Sequence, residues 1–297
     1  MKKLRICNLY PDISTVGRND GNPMYLTHIL KKMGHDVKHV FPKGDIRSFG
    51  KFDLHLWADW GEDALGMADF VCPKPNAYWV SDSHLGFDYR LKKAREFDYV
   101  FVAQEADALK FREAGIKNVF WLPHAVEPDA YAPSHCIKKY DVCFVGHINE
   151  ERRAKALDTL FKAIPNFWLG QRRFEDAAEK YKQSKIVFNQ SIKNDINMRT
   201  FEVLATKSFL LTEKVDGLDK LFVDGKHLVM YATPEEMVEK AKYYLEHDEE
   251  REKIAEAGYN EVIKNHTFQH RASYILAACG LIDLEPRSSL TTKKIAA

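Results

Sequence analysis

The sequence predicts an α/β protein built of two Rossmann-like halves, and three observations carry that prediction. Short apolar runs alternate with amphipathic helices along the whole chain, the pattern of parallel β-layers covered by helices. A length of 297 residues sets a prior of about two domains of roughly 150 residues each. Near the middle stands Glu127-Pro128-Asp129-Ala130-Tyr131-Ala132-Pro133-Ser134, a proline-punctuated polar stretch that suits a hinge.

The first half opens with a strand over Arg5–Tyr10. A helix follows, with Tyr25, Leu26, Ile29, Leu30 and Met33 at helical spacing, and Gly34-His35 ends it before a strand at Val37–Phe41. Further strands are predicted at Leu54–Trp57, Ala77–Val80, Tyr99–Ala103 and Val119–Leu122, separated by helices near Asp88–Glu96 and Glu105–Ala114. A second unit starts with Tyr140-Asp141-Val142-Cys143-Phe144-Val145-Gly146. It continues through a helix at Arg152–Ala163, a strand at Phe167–Leu169, a helix at Phe174–Gln183 and a strand at Lys185–Phe188. A helix carrying Arg199 and Glu202, the strand Phe209–Thr212, the run Leu228–Tyr231 and helices at Pro234–Glu246 and Glu249–Asn265 complete it. The small polar tail Ser288–Ala297 reads as frayed.

Composition narrows the function. Hydrophobic content of 45% and aromatic content of 12% supply two packed cores. The balance of 44 basic and 43 acidic residues leaves no global field to draw nucleic acid or an anionic membrane. Five cysteines, odd in number and without a C-x-x-C pair, argue against a zinc site or disulfide framework and fit a reducing cytoplasm. The apolar run at the start is too short for a signal peptide, and no segment approaches the ~20 apolar residues of a membrane span.

The most informative stretch is Asn194-Asp195-Ile196-Asn197-Met198-Arg199-Thr200-Phe201-Glu202. Arg199 and Glu202 are three residues apart, so both project from one helix face. The helix follows a strand and loop, and in an open α/β sheet that junction forms the usual ligand crevice. Free N–H groups and Arg199 can hold phosphate, while Glu202 can accept from sugar hydroxyls. These groups suit a ligand with phosphates at one end and hydroxyls at the other, such as a nucleotide sugar. A solvated Arg–Glu pair on an ordinary helix has the same spacing.

A dinucleotide dehydrogenase is disfavoured. No G-x-G-x-x-G follows Ile6–Leu9 or Val142–Val145, and no Walker loop is present. The loops found instead are Gly17-Arg18-Asn19-Asp20-Gly21-Asn22 and Gly146-His147-Ile148-Asn149-Glu150-Glu151-Arg152-Arg153. A single glycine followed by a helix N-terminus with paired arginines is enough to hold a diphosphate.

Read in order, these segments resemble the GT-B glycosyltransferases, closely their spore-maturation-protein (CgeB)-like branch. The matching pieces are Phe144-Val145-Gly146 with Arg152-Arg153, Phe188-Asn189, Asn197-x-Arg199-x-Phe201-Glu202 and Phe209-Leu210-Leu211-Thr212. Gly217-Leu218 with Phe222-x-x-Gly225, Tyr243-Tyr244-Leu245 with Arg251, and His266-Thr267-Phe268 with Arg271 continue the series. Leu26 to Val37 and Leu122-Pro123-His124-Ala125-Val126-Glu127 match in the first half. The resemblance implies two Rossmann-like domains facing across a cleft: an acceptor domain over 1–133 and a nucleotide-sugar domain over 134–266. It implies that 267–297 forms a crossover helix, about Phe268 to Gly280, and a tail packing on the first domain. The implied activity is metal-independent transfer, with retention, of a sugar from a nucleoside-diphosphate sugar, foremost a UDP-sugar, to a hydroxyl acceptor. That acceptor is a glycan, protein, small molecule or modified nucleobase, and no cofactor is needed. A non-catalytic sugar-nucleotide or glycan-binding module and a sugar-nucleotide epimerase are the alternatives on the same fold. The sequence departs from the family at Asn194, where related retaining enzymes carry glutamate, and at Lys207-Ser208, where a glycine is common.

The expected donor contacts are Gly146, His147, Arg152, Asn189, Arg199 and Glu202, with Arg199 stabilising the leaving group. In the first half, Asp20 and Gly21 of the glycine loop, Asp59 with Trp60, and Asp82 with His84 stand at the carboxyl ends of predicted strands. Asp20, Asp59, Asp82 and His84 are the base candidates there, and Trp60 the residue to stack on an acceptor. Asp82 and its neighbours read equally as an N-cap of the next helix. His266 and His270 lack a third ligand and carry no metal expectation. The other tryptophans read as packing.

Overall fold

The computed structural model describes residues 2–10, 21–59, 70–148, 150–172 and 174–283. It divides into two compact units, one formed by Met1–His124 with Phe268–Ala297 and the other by Ala125–Thr267.

The first unit contains β1 (Arg5–Leu9), α1 (Asn22–Lys32), β2 (Asp36–Val40), β3 (Gly44–Asp45), β4 (Leu54–Ala58), β5 (Phe70–Val71), β6 (Asn76–Val80), α2 (Phe87–Ala94), β7 (Tyr99–Val102), α3 (Glu105–Glu113) and β8 (Val119–Trp121). Its six-stranded sheet runs β2-β1-β4-β6-β7-β8, and every pairing is parallel. The central strands β4 and β6 are buried throughout, which explains their continuous apolar runs, since both faces of a parallel sheet are covered. Trp57 stacks on Tyr78 at 4.3 Å between centroids, within a core that includes Leu9, Val100 and Phe111. The two-residue strands β3 and β5 pair with each other and were too short to show a sequence period.

The second unit contains β9 (Tyr140–Val145), α4 (Glu151–Ala163), β10 (Phe167–Gly170), α5 (Phe174–Lys182), β11 (Ser184–Asn189), α6 (Met198–Ala205), β12 (Phe209–Glu213), α7 (Leu218–Leu221), β13 (Val229–Tyr231), α8 (Pro234–Glu246) and α9 (Asp248–Asn265). Its parallel sheet runs β10-β9-β11-β12-β13. The strand order reverses between β9 and β11, so the crevice beyond their carboxyl ends is the place where such sheets bind ligands. Phe144, Phe188, Phe209 and Leu211 fill the core under α4, α8 and α9. Gly258 lets α9 lie against α6, because a Cβ there would stand 2.8 Å from Leu204 and would run into the His227 carbonyl.

The units part at His124–Ala125, ahead of the boundary expected at 133. Val126 bridges in parallel to Thr267, its N–H donates to the His266 carbonyl at 3.1 Å, and Lys182 reaches the Ala132 carbonyl at 3.4 Å. These bonds tie the proline-rich stretch to the second unit. The last helix, α10 (Phe268–Ala278), belongs to the first unit and packs on α1, with Phe268 against Tyr25 at 4.8 Å. No described helix is long and apolar enough to cross a membrane.

Candidate functional site

In the second unit the expected residues converge beyond the ends of β9, β11, β12 and β13. Gly146 follows β9, and a Cβ there would collide with the Arg199 guanidinium; glycine at this position makes room for the arginine. Arg199 is the second residue of α6. Its guanidinium lies 4.7 Å from the centre of the Phe144 ring and donates through Nη1 to Asn189 Oδ1 at 2.7 Å. Aromatic face and amide oxygen together fix one orientation of the charge.

Asn189 ends β11 and is buried. Its Oδ1 also accepts from Asn197 Nδ2 at 3.2 Å, its Nδ2 donates to Thr212 Oγ1 at 2.9 Å, and its carbonyl accepts from the Tyr231 hydroxyl at 3.2 Å. The amide oxygen is committed to Arg199 and Asn197, so Asn189 positions Arg199. Glu202 sits one turn after Arg199, and the buried Tyr181 hydroxyl donates to its carboxylate at 3.4 Å. Burial, with the Glu202 charge beside it, pushes the Tyr181 hydroxyl well above its ordinary range.

Arg152, in the first turn of α4, forms an ion pair with Glu213 at the end of β12 and donates to the Ser191 carbonyl at 3.1 Å. Its neighbour Arg153 is buried and ties the two site loops together through the His147 carbonyl at 3.1 Å and the Gln190 carbonyl at 2.7 Å. The His147 side chain is exposed. Glu150, Arg152, Ser191, Lys193, Asn194 and Glu213 line a cavity of about 370 Å³. Asn194, in the left-handed region at φ 65°, is locked to Asp216 by bonds of 2.8 and 3.2 Å.

Sequence reasoning missed Glu213, Tyr181 and Ser191. Strand register could have shown the first. Asn189 stands opposite Thr212, and Glu213 opposite Tyr231, so Glu213 had to join this group of strand ends.

In the first unit the expected residues separate into two groups. Asp59 is fully buried, and its carboxylate accepts from Arg90 Nε at 2.6 Å, the Tyr78 hydroxyl at 2.6 Å and the Ser81 N–H at 2.8 Å. This corrects the reading of Asp59 as a base or acceptor contact: its lone pairs are spent inside the core. Asp82 and His84 instead lie near His124, a residue absent from the expected set. His124 is buried, within 3.2 Å of the Asn22 amide, and its proton affinity is pushed down to about 4, foremost by burial. His84 and Arg271 act in the same direction and Asp82 against it. Oriented by that environment, His124 stays neutral at ordinary pH. His84 Nδ1 is buried and accepts no hydrogen bond from a described residue. Helix α2 is capped by Gly86, so Asp82 is not its N-cap. Gly21 caps α1 through its carbonyl, which accepts from Met24 and Tyr25. Asp20 and Trp60 lie outside the described residues.

Residues 144–277 match the family described as glycosyl transferase-like. The chain is 24% identical over 258 residues to Spore protein CgeB of Bacillus subtilis (strain 168), covering 72% of this chain and 75% of that protein. Among solved structures, Anabaena HepE in complex with UDP and glucose superposes with a TM-score of 0.65 at 13% identity, over 94% of this chain and 100% of its own. Sucrose-phosphate synthase from Thermosynechococcus elongatus gives 0.66 at 10% identity, over 92% and 97%. The fold is therefore of the GT-B type, and residues 144–277 are similar to glycosyl transferase-like domains. In sequence the chain is similar to CgeB.

Proposed function

We propose that the chain transfers a sugar, with retention and without a metal ion, from a UDP-sugar to a hydroxyl acceptor in the cytoplasm. The second unit takes the donor, and the first takes the acceptor. The observation that carries this reading is the Arg199 guanidinium, held over Phe144 and Gly146 at the reversal of strand order. There it and the N-terminus of α6 neutralise charge as the nucleoside diphosphate departs, stabilisation that costs no reorganisation during the reaction. Arg152 adds a second cation once the donor draws it from Glu213. Glu202 takes the ribose hydroxyls, with Tyr181 orienting its carboxylate. Complexes of HepE contain UDP and UDP-glucose, which makes uridine the base to try first. The cytoplasmic setting is supported by five free thiols.

With retention, the departing phosphate takes the acceptor proton. Asp82 and His84 then bind and orient the acceptor. Calorimetric titration with UDP and UDP-glucose tests the donor assignment, and release of UDP without acceptor separates an enzyme from a binding module. Chelator should leave turnover unchanged. A chain that binds neither ligand would refute the donor assignment.

A further inference from the structure

The cavity beside Arg152 carries an arrangement that a diphosphate cradle alone does not explain. Its walls hold two cations, Arg152 and Lys193, but also two carboxylates, Glu150 and Glu213, and the Asn194 amide. A carboxylate against an arginine repels a diphosphate approaching the same arginine. Glu213 is nevertheless held firmly in place by the Ser191 N–H at 3.2 Å, the Ser191 hydroxyl at 2.9 Å and Arg152 Nη2 at 3.2 Å. Ser191 itself is buried, so the support is rigid. Oε2 of Glu150 is buried and accepts no hydrogen bond from a described residue, a costly state for a carboxylate unless a donor group reaches it.

From this mixed lining we infer that the cavity takes the sugar half of the donor and selects an uncharged, hydroxyl-bearing sugar against a uronic acid. The inference rests on the donor reading above. Sugar hydroxyls are hydrogen-bond donors: they satisfy Glu150 Oε2 and take the places on Glu213 that Arg152 leaves as the diphosphate draws it away, as charge-assisted bonds. A uronate would bring a third carboxylate against these two, a repulsive element that works as selectivity. The cations suit the diphosphate at the cavity edge. Glu213 thus has two effects of opposite sign: it weakens the hold of Arg152 on the diphosphate and strengthens the hold on the sugar.

Calorimetric titration of the full chain with UDP, UDP-glucose and UDP-glucuronic acid tests this. The wild-type chain should bind UDP-glucose at least about tenfold more tightly than UDP-glucuronic acid. Glu213→Gln, which keeps the side-chain shape, should tighten UDP severalfold and erase most of the difference between the two sugars. Equal or tighter binding of the glucuronate by the wild-type chain overturns the inference. So does a Glu213→Gln chain that loses UDP and UDP-glucose in equal measure, the result expected of a merely structural residue. Absence of UDP binding in the wild-type chain overturns the donor reading instead. The wild-type ratio needs no variant, so a poorly folding substitution does not blunt the test.

Discussion

Each unit places a carboxylate just beyond or at the end of a parallel strand and pairs it with an arginine from a helix, yet the two pairs live in different surroundings. In the first unit Asp59 meets Arg90 with side chains 1% and 0% exposed. In the second, Glu213 meets Arg152 with side chains 15% and 48% exposed. The sealed pair has Tyr78 and Ser81 as further partners within the core. The open pair lines a cavity of about 370 Å³. Position at a strand's carboxyl end thus brings a charged group toward a potential crevice, but burial decides whether the group supports the fold or remains available for chemistry.

The largest expected effect breaks the sealed pair. Asp59→Ala leaves the Arg90 guanidinium buried without its counter-charge, at a cost of about 3–5 kcal/mol. Arg152→Ala, at the open pair, should cost about 1 kcal/mol or less in stability. Urea denaturation of both variants measures the contrast directly. Similar losses would show that exposure does not separate the two pairs.

The second test reverses the contrast by reading activity. Arg199→Ala should remove about 2–4 kcal/mol of transition-state stabilisation, a fall of roughly two orders of magnitude or more in turnover. Its melting temperature should stay near that of the wild-type chain, since the side chain faces the crevice and not the core. Sugar transfer at the wild-type rate would remove Arg199 from the leaving-group site.

These contrasts also mark how far the sequence could be read. The strands of both large sheets were legible because buried parallel strands are continuous apolar runs, as at Ile186-Val187-Phe188. Arg199 and Glu202 were legible because a spacing of three fixes a shared helix face. Asp59 was misread because a carboxylate after a strand looks the same whether its partner is water or an arginine 31 residues onward. Glu213 was missed because it joins the site through the pairing of β12 with its neighbours, which local spacing does not encode. His124, read only as part of the segment Leu122–Glu127, was left out of the site for the same reason: its partner Asn22 is 102 residues away.

His124 supplies the third test, a pH dependence set in the first unit. Burial holds it neutral in the folded chain down to about pH 4, whereas an unfolded histidine takes up its proton near 6.5. Between these values the unfolded chain binds more protons, so stability falls as pH drops. The contribution is fully present above about 6.5 and is lost progressively toward 4, amounting to roughly 3 kcal/mol. Chemical denaturation across this range should show that limb, and His124→Asn should flatten it. An unchanged slope in the variant would assign the acid limb to other groups.

The smallest expected effect lies at Glu202, where both units' lessons meet. The Tyr181 hydroxyl donates to its half-buried carboxylate at 3.4 Å, a longer bond than Arg90 gives Asp59. On the donor reading the same carboxylate accepts from the ribose hydroxyls. Because that contact is made equally in the ground and transition states, its loss should weaken donor binding more than it slows the chemical step. Glu202→Ala should cost about 1.5–3 kcal/mol in affinity for UDP and for UDP-glucose alike, with the difference between the two ligands preserved. Tyr181→Phe should cost less than half as much, since it removes only the orienting hydroxyl. Calorimetry showing unchanged UDP affinity in Glu202→Ala would return Glu202 to the role of a structural partner of Tyr181. A loss confined to UDP-glucose would move it from the ribose to the sugar.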